Sequence, residues 1–199
     1  MGKSIRLRLV PGRRSKMSNK SQSMKEIEGI FHKHGFNDYK WIHPKDIVVA
    51  NWVRLKCVYG CPTYGECASC PPNTPSVSEC RDFFDEYTEI AIFHFPIEVD
   101  RPENRHDLVT ETDKRLLGLE KEVFLSGNEK TFLLFAGNCK LCTECVSSRA
   151  DCKHPKLSRP TSEALAIDVF STARTVGYPI NVLKDYNETM NRYAFLLVR

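Results

Sequence analysis

Residues 131–163 read T-F-L-L-F-A-G-N-C-K-L-C-T-E-C-V-S-S-R-A-D-C-K-H-P-K-L-S-R-P-T-S-E. The opening T-F-L-L-F-A is short and apolar and ends at Gly137, the pattern of a buried strand. A cysteine loop follows. Pro160-Thr161 then opens a predicted helix to about Val176, stopped by Gly177. Leu165, Val169, Thr172, Ala173 and Val176 fall on one face of it. The same order recurs upstream. Residues 46–56, D-I-V-V-A-N-W-V-R-L-K, are β-branched and aromatic and predict a strand that runs into Cys57. Residues 57–75 form a Gly- and Pro-rich cysteine loop. Ser76, with Glu79 three residues on, is a capping box that starts a helix through Phe83, Phe84 and Tyr87. Strands alternating with helices predict an α/β fold, with a single central mixed sheet and flanking helices. Both cysteine-rich loops are expected at strand-to-helix junctions, where α/β sheets place their ligands.

Eight of the nine cysteines lie in these two loops. Cys139, Cys142 and Cys145 repeat every three residues, and Cys152 follows inside Cys-Lys-His-Pro. Such a run wraps a short loop around one object and aims three thiolates inward, as a cubane iron–sulfur cluster requires. Bacterial ferredoxin runs start the same way. Cys57, Cys61, Cys67 and Cys70 are spaced C-x3-C-x5-C-x2-C. That differs from the C-x3-C-x2-C of radical S-adenosylmethionine enzymes, because Tyr64 holds the third position. All eight are candidate ligands to one or two 4Fe-4S clusters. Zinc is the alternative; it takes paired C-x-x-C hooks or Cys with His, and His154 could then replace Cys152. Cys80, inside a helix, reads as a small buried hydrophobe. His94 reads as a structural histidine.

The chain of 199 residues has an ordinary soluble composition, 41% hydrophobic and 27% charged. No apolar run reaches the roughly 18 residues of a membrane span, and residues 1–14 lack the apolar core of a secretory signal. An odd, clustered cysteine set without a signal points to metal ligation in a reducing compartment, and hence to the cytoplasm. The net charge is +4, yet residues 1–22 hold seven basic side chains and no acidic one, which leaves −3 for the rest. Residues 1–22 are therefore expected as a flexible basic arm on an α/β domain over residues 23–199, and only that arm suits nucleic acid.

Between the loops, residues 89–95 predict a strand. Residues 105–126 predict the longest helix, with Leu108, Thr112, Leu116, Leu119 and Val123 as its apolar stripe and charges opposite. Residues 23–35 predict a first helix ended by Gly35. Residues 180–183 and 193–198 predict two late strands.

The combination resembles a family of cysteine-rich predicted metal-binding proteins of unknown function, found in archaea and anaerobic bacteria. The shared features are C-x3-C-P-x-Y-G over residues 57–65, Cys70-Pro-Pro-x-x-Pro-Ser, and A-G-x-C-x-L-C-x-x-C over residues 136–145. The later C-x-H-P and R-P-T-S-E-A-L-A-I-D-V-F match as well. The resemblance implies metal binding and no particular reaction. Cys57, Cys61, Cys70 and the four downstream cysteines are typical of it, and Cys67 is less regular.

No G-x-G-x-x-G, P-loop, G-x-S-x-G or H-E-x-x-H occurs. The expected function is an electron carrier or redox accessory protein with a redox partner protein. One alternative is a zinc-stabilised module contacting a protein or nucleic acid. The other is an enzyme whose upstream cluster keeps an open iron.

Overall fold

Residues 90–97, I-A-I-F-H-F-P-I, carry apolar side chains at both phases of a strand, so both faces of that strand must be covered. The computed structural model, which describes residues 16–98, 104–185 and 187–199, covers them with a layer of helices on each side. In chain order the elements are α1 (Lys16–Lys33), β1 (Tyr39–Ile42), α2 (Asn51–Gly60), α3 (Val77–Asp85) and β2 (Ile90–Ile97). They continue as α4 (Arg105–Leu125), β3 (Phe132–Leu134), α5 (Val169–Thr175) and β4 (Met190–Leu197).

The sheet order is β1-β2-β4-β3. Ala91, Phe93, Leu133, Ala194, Leu196 and Val198 face Ile27 and Phe31 of α1 and Leu116, Leu119 and Val123 of α4. Ile90, Ile92, Leu134, Phe195 and Leu197 face Phe84 of α3 and Val169 and Ala173 of α5. The alternation of neighbours between the two groups is the period of the strand itself. Ile90, Ile92, Phe93, Phe195 and Leu197 are all fully buried.

Several expectations are corrected. The sheet is not mixed: every neighbouring pair is antiparallel. The crossover helix α4 gives β2 and β3 the same direction, but β4 lies between them and opposes both, a split βαβ unit. The strand read over residues 46–56 is extended only around Val48–Ala50, where the Ala50 N–H donates to Ala166 O and the Asp168 N–H donates to Val48 O. From Asn51 it is helix α2. Propensity lost to packing there: Val53 is buried and Cys57 half-buried one turn on, while Trp52 and Leu55 stay exposed. The first cysteine loop therefore joins two helices, α2 and α3, rather than a strand and a helix.

The helix read over residues 161–176 is two pieces, a 3-10 turn at Glu163–Leu165 and α5. Ala166 breaks it in the left-handed conformation at φ 62°, and Asp168 recaps the chain by accepting from the Ser171 N–H. Residues 180–183 form no strand; the Tyr193 hydroxyl donates to Pro179 O and Arg174 to Ile180 O. In α4 the buried stripe contains Val109 and not Leu108, which is 46% exposed. It also holds Asp113 and Glu120. The capping box at Ser76 and Glu79 forms as read. The basic arm read over residues 1–22 falls partly outside the described residues and partly on the first turns of α1.

Truncating the central strand should be costly and truncating the α2 surface should not. Phe195→Ala is expected to lose about 3–5 kcal/mol of unfolding free energy. Leu55→Ala is expected to change it by less than about 0.5 kcal/mol. Urea unfolding of both variants checks this.

Candidate metal centre

The first cysteine loop hangs from α2. Cys57 lies in its last turns and Cys61 is its C-cap. Arg54, one turn before Cys57, donates to Pro75 O at 2.9 Å and Ala164 O at 3.0 Å, which ties the helix to the far end of the loop and to the 3-10 turn. Turns then carry the chain through Cys67 to Cys70, where the Cys70 N–H donates to Cys67 O at 3.1 Å.

The second loop leaves β3 and rejoins the fold at Pro160. Two carboxylates buried on α4, seven residues apart and so on one face, hold its two ends. Asp113 accepts from the Ala136 N–H at 2.8 Å and from the Gly137 N–H at 3.2 Å. Glu120 accepts from the Leu133 N–H at 2.9 Å and from Arg159 Nε at 2.8 Å. Gly137 sits so close to α4 that a Cβ built on it would collide with Val109 Cγ1. Burial pushes the Asp113 carboxyl up to about 7, against the two N–H donors that favour its charged form.

Asn73 joins the two loops. Its amide donates to Cys67 O at 3.3 Å and to Ser147 O at 2.7 Å, and its carbonyl oxygen accepts from the Arg149 N–H at 3.2 Å. The result is that thiols distant in sequence meet. Cys57, Cys61, Cys67 and Cys70 line a cavity of about 680 Å³. Cys139, Cys142 and Cys145 line an adjoining cavity of about 540 Å³, together with Cys67. Cys67 Sγ and Cys145 Sγ are 3.7 Å apart.

Cys67 is thus common to both cavities, as are Thr63, Asn138 and Lys140. Cys152 lines neither, and His154 is exposed. Cys80 is fully buried on the inner face of α3, with its thiol 3.7 Å from Pro75 O. Both ring nitrogens of His94 are taken, by Asp38 and Asn191, each at 2.7 Å.

All nine thiols are free. Hydrogen bonds from Cys70 and Ser69 pull the Cys67 thiol below its ordinary value, and the Cys70 thiol that donates is pushed up. Burial raises Cys57 and Cys145. A thiolate is the form that ligates metal. Among the described residues no three His, Cys, Asp or Glu side chains are grouped as a ready single-ion site. The cysteines instead surround two spaces, and their soft sulfur suits iron–sulfur clusters or zinc rather than magnesium or calcium.

A family model described as "Predicted metal-binding protein (DUF2284)" matches residues 40–198. The chain belongs to this family. That span includes all eight loop cysteines and every strand from Lys40 onward, and the resemblance read from the motifs is to the same family. No curated protein and no solved structure matches the chain. Among the described residues no helix is long and apolar enough to cross a membrane.

Sequence reading missed Asn73, Asp113, Glu120 and Arg192, the last a cationic residue of the larger cavity. For Arg192 a signal existed: a charge on the inward phase of a strand whose later members Ala194, Leu196 and Val198 are buried. Asp113 and Glu120 gave none, because an acidic residue in a long helix reads as solvated.

Two outcomes follow from these contacts. Asp113 has a folded value of about 7 against an ordinary 3.8, so the native state binds the extra proton between those pH values. Its contribution is present below about pH 4 and is lost as pH rises through 7. Wild-type stability should therefore fall relative to Asp113→Asn across that window, read as the slope of urea midpoint against pH and not its offset. Asn73→Ala removes three hydrogen bonds, two of them between the loops, and should lower unfolding free energy by about 1–3 kcal/mol with unchanged helix content by circular dichroism.

Proposed function

We propose that the chain is an iron–sulfur protein with one or two four-iron clusters on its cysteine loops, acting as an electron carrier or redox accessory protein. The observation that carries this reading is the meeting of the two loops: two adjoining cavities, walled by thiols and sharing Cys67. Cys57, Cys61, Cys67 and Cys70 would hold the upstream group, and Cys139, Cys142, Cys145 and Cys152 the downstream one. Cys152 would then have to swing in from its place outside both cavities. Bound clusters would supply one-electron chemistry, with potentials tuned by burial and by hydrogen bonds to sulfur.

The surroundings suit such a role. Ser69 and Thr63 hydroxyls lie 3.5 Å from Cys67 and Cys61 sulfurs, the kind of contact that tunes a thiolate. Cys61 and Cys145 are exposed, so each centre reaches the surface, where a redox partner protein could receive electrons. The helix that carries Cys57 also shows Trp52, Leu55 and Tyr59 to solvent at helical spacing, an apolar face suited to such a partner. A reducing cytoplasm would keep nine unpaired thiols competent.

Protein purified without oxygen is expected to contain about four to eight irons and as many acid-labile sulfides per chain, with a brown absorbance that bleaches on reduction. Cys142→Ser should lower the iron content and leave the fold intact by circular dichroism. Zinc without iron would overturn the redox reading and make the loops structural.

A further inference from the structure

The larger cavity has a second wall that takes no part in the thiol set. His106 and Thr110 of α4, Lys140 of the second loop and Arg192 of β4 line it together with the cysteines. Arg192 is the decisive group. It continues the phase of β4 that faces α4, just beyond the apolar layer, and its Nε is buried with no hydrogen-bond partner among the described residues. Asp113, which feels the Arg192 charge, has both oxygens engaged by the Ala136 and Gly137 N–H groups. A buried donor left unmet is costly to keep. A guanidinium is a planar fork whose natural partners are carboxylate and phosphate.

We propose that this cavity binds a small molecule carrying one oxyanion group, carboxylate or phosphate, held by Arg192 with help from Lys140. The volume of about 680 Å³ lies in the range of small-molecule sites. Glu163 and Asp107 line the same cavity, so its charge is mixed. That favours a ligand with one acidic group and a neutral or cationic remainder over a polyanion. Bound there, the molecule would share the cavity with the upstream cysteines. Neither the family description nor the electron-carrier reading assigns such a site.

The test uses the full chain purified without oxygen, with its metal content measured separately. Its thermal midpoint is followed against phosphate, acetate and glycine at ionic strength held constant with chloride, since a ligand of the native state raises the midpoint saturably. At least one probe should protect. Protection by phosphate alone assigns a phosphoryl ligand, by acetate a carboxylate, and stronger protection by glycine than acetate a zwitterion that also uses the acidic side.

Arg192→Gln should weaken that probe about tenfold or more, and Arg192→Lys less. Lys140→Gln, at an exposed position that leaves the fold intact, should weaken it severalfold, and Lys45→Gln on a distant turn should not. Absence of saturable protection by all three probes overturns the site, as does equal protection in wild type and Lys140→Gln together with either Arg192 variant. Protection that survives in a chain found to hold zinc or no metal upholds the site and counts only against the iron–sulfur reading.

Discussion

Two buried carboxylates on one face of α4 decide where the second cysteine loop begins and ends. Asp113 takes the backbone as it leaves β3, and Glu120 takes Leu133 and the returning Arg159. Their cost is desolvation, visible in the raised Asp113 carboxyl, and their return is the placement of a loop of more than twenty residues with no regular structure. Everything else about the site follows from that placement. Asn73 can reach Ser147 and Arg149, and Cys67 can approach Cys145, only because the second loop is brought back over the first.

The carboxylates are held in place because α4 is packed against the sheet. Leu116, Leu119 and Val123 lock it onto one face of a sheet whose central strands are buried on both sides. A helix fixed at three apolar positions becomes a ruler, and its two acidic residues mark distances along it. The first loop is fixed in another way, by a short helix clamped through Arg54 to Pro75 and Ala164. One loop is anchored through the sheet face and the other through a helix end, and they converge on one corner of the molecule.

Much of the fold was legible in the sequence, and the failures have physical reasons. The strand over residues 89–95, the capping box at Ser76 and Glu79, and the length of α4 are local signals, and local signals held. Residues 46–56 misled because the chain is extended around Val48–Ala50, where Val49 bridges Ile167, while the β-branched pattern says nothing of the helix that starts at Asn51. Ala166 breaks a helix with no glycine to announce it; it is left-handed, and its carbonyl accepts from the Ala50 N–H, a partner more than a hundred residues away. The strand β1, only four residues long, offered too little pattern to notice. The candidate site was read from clustered cysteines; the residues that bring the two loops together, Asn73 and Asp113, act across dozens of residues and leave no periodic trace.

The position of β4 has a consequence for how the protein is made. It comes after both cysteine loops in the chain, yet it occupies the middle of the sheet, between β2 and β3. Until it emerges, β2 and β3 have no common neighbour and α4 has only part of its floor. All nine thiols are therefore synthesised before the scaffold that positions them can close. At that stage the set of cysteines is complete while the sheet still lacks one of its two middle strands. Insertion of β4 ends that stage, and with it Arg192 closes the last wall of the larger cavity.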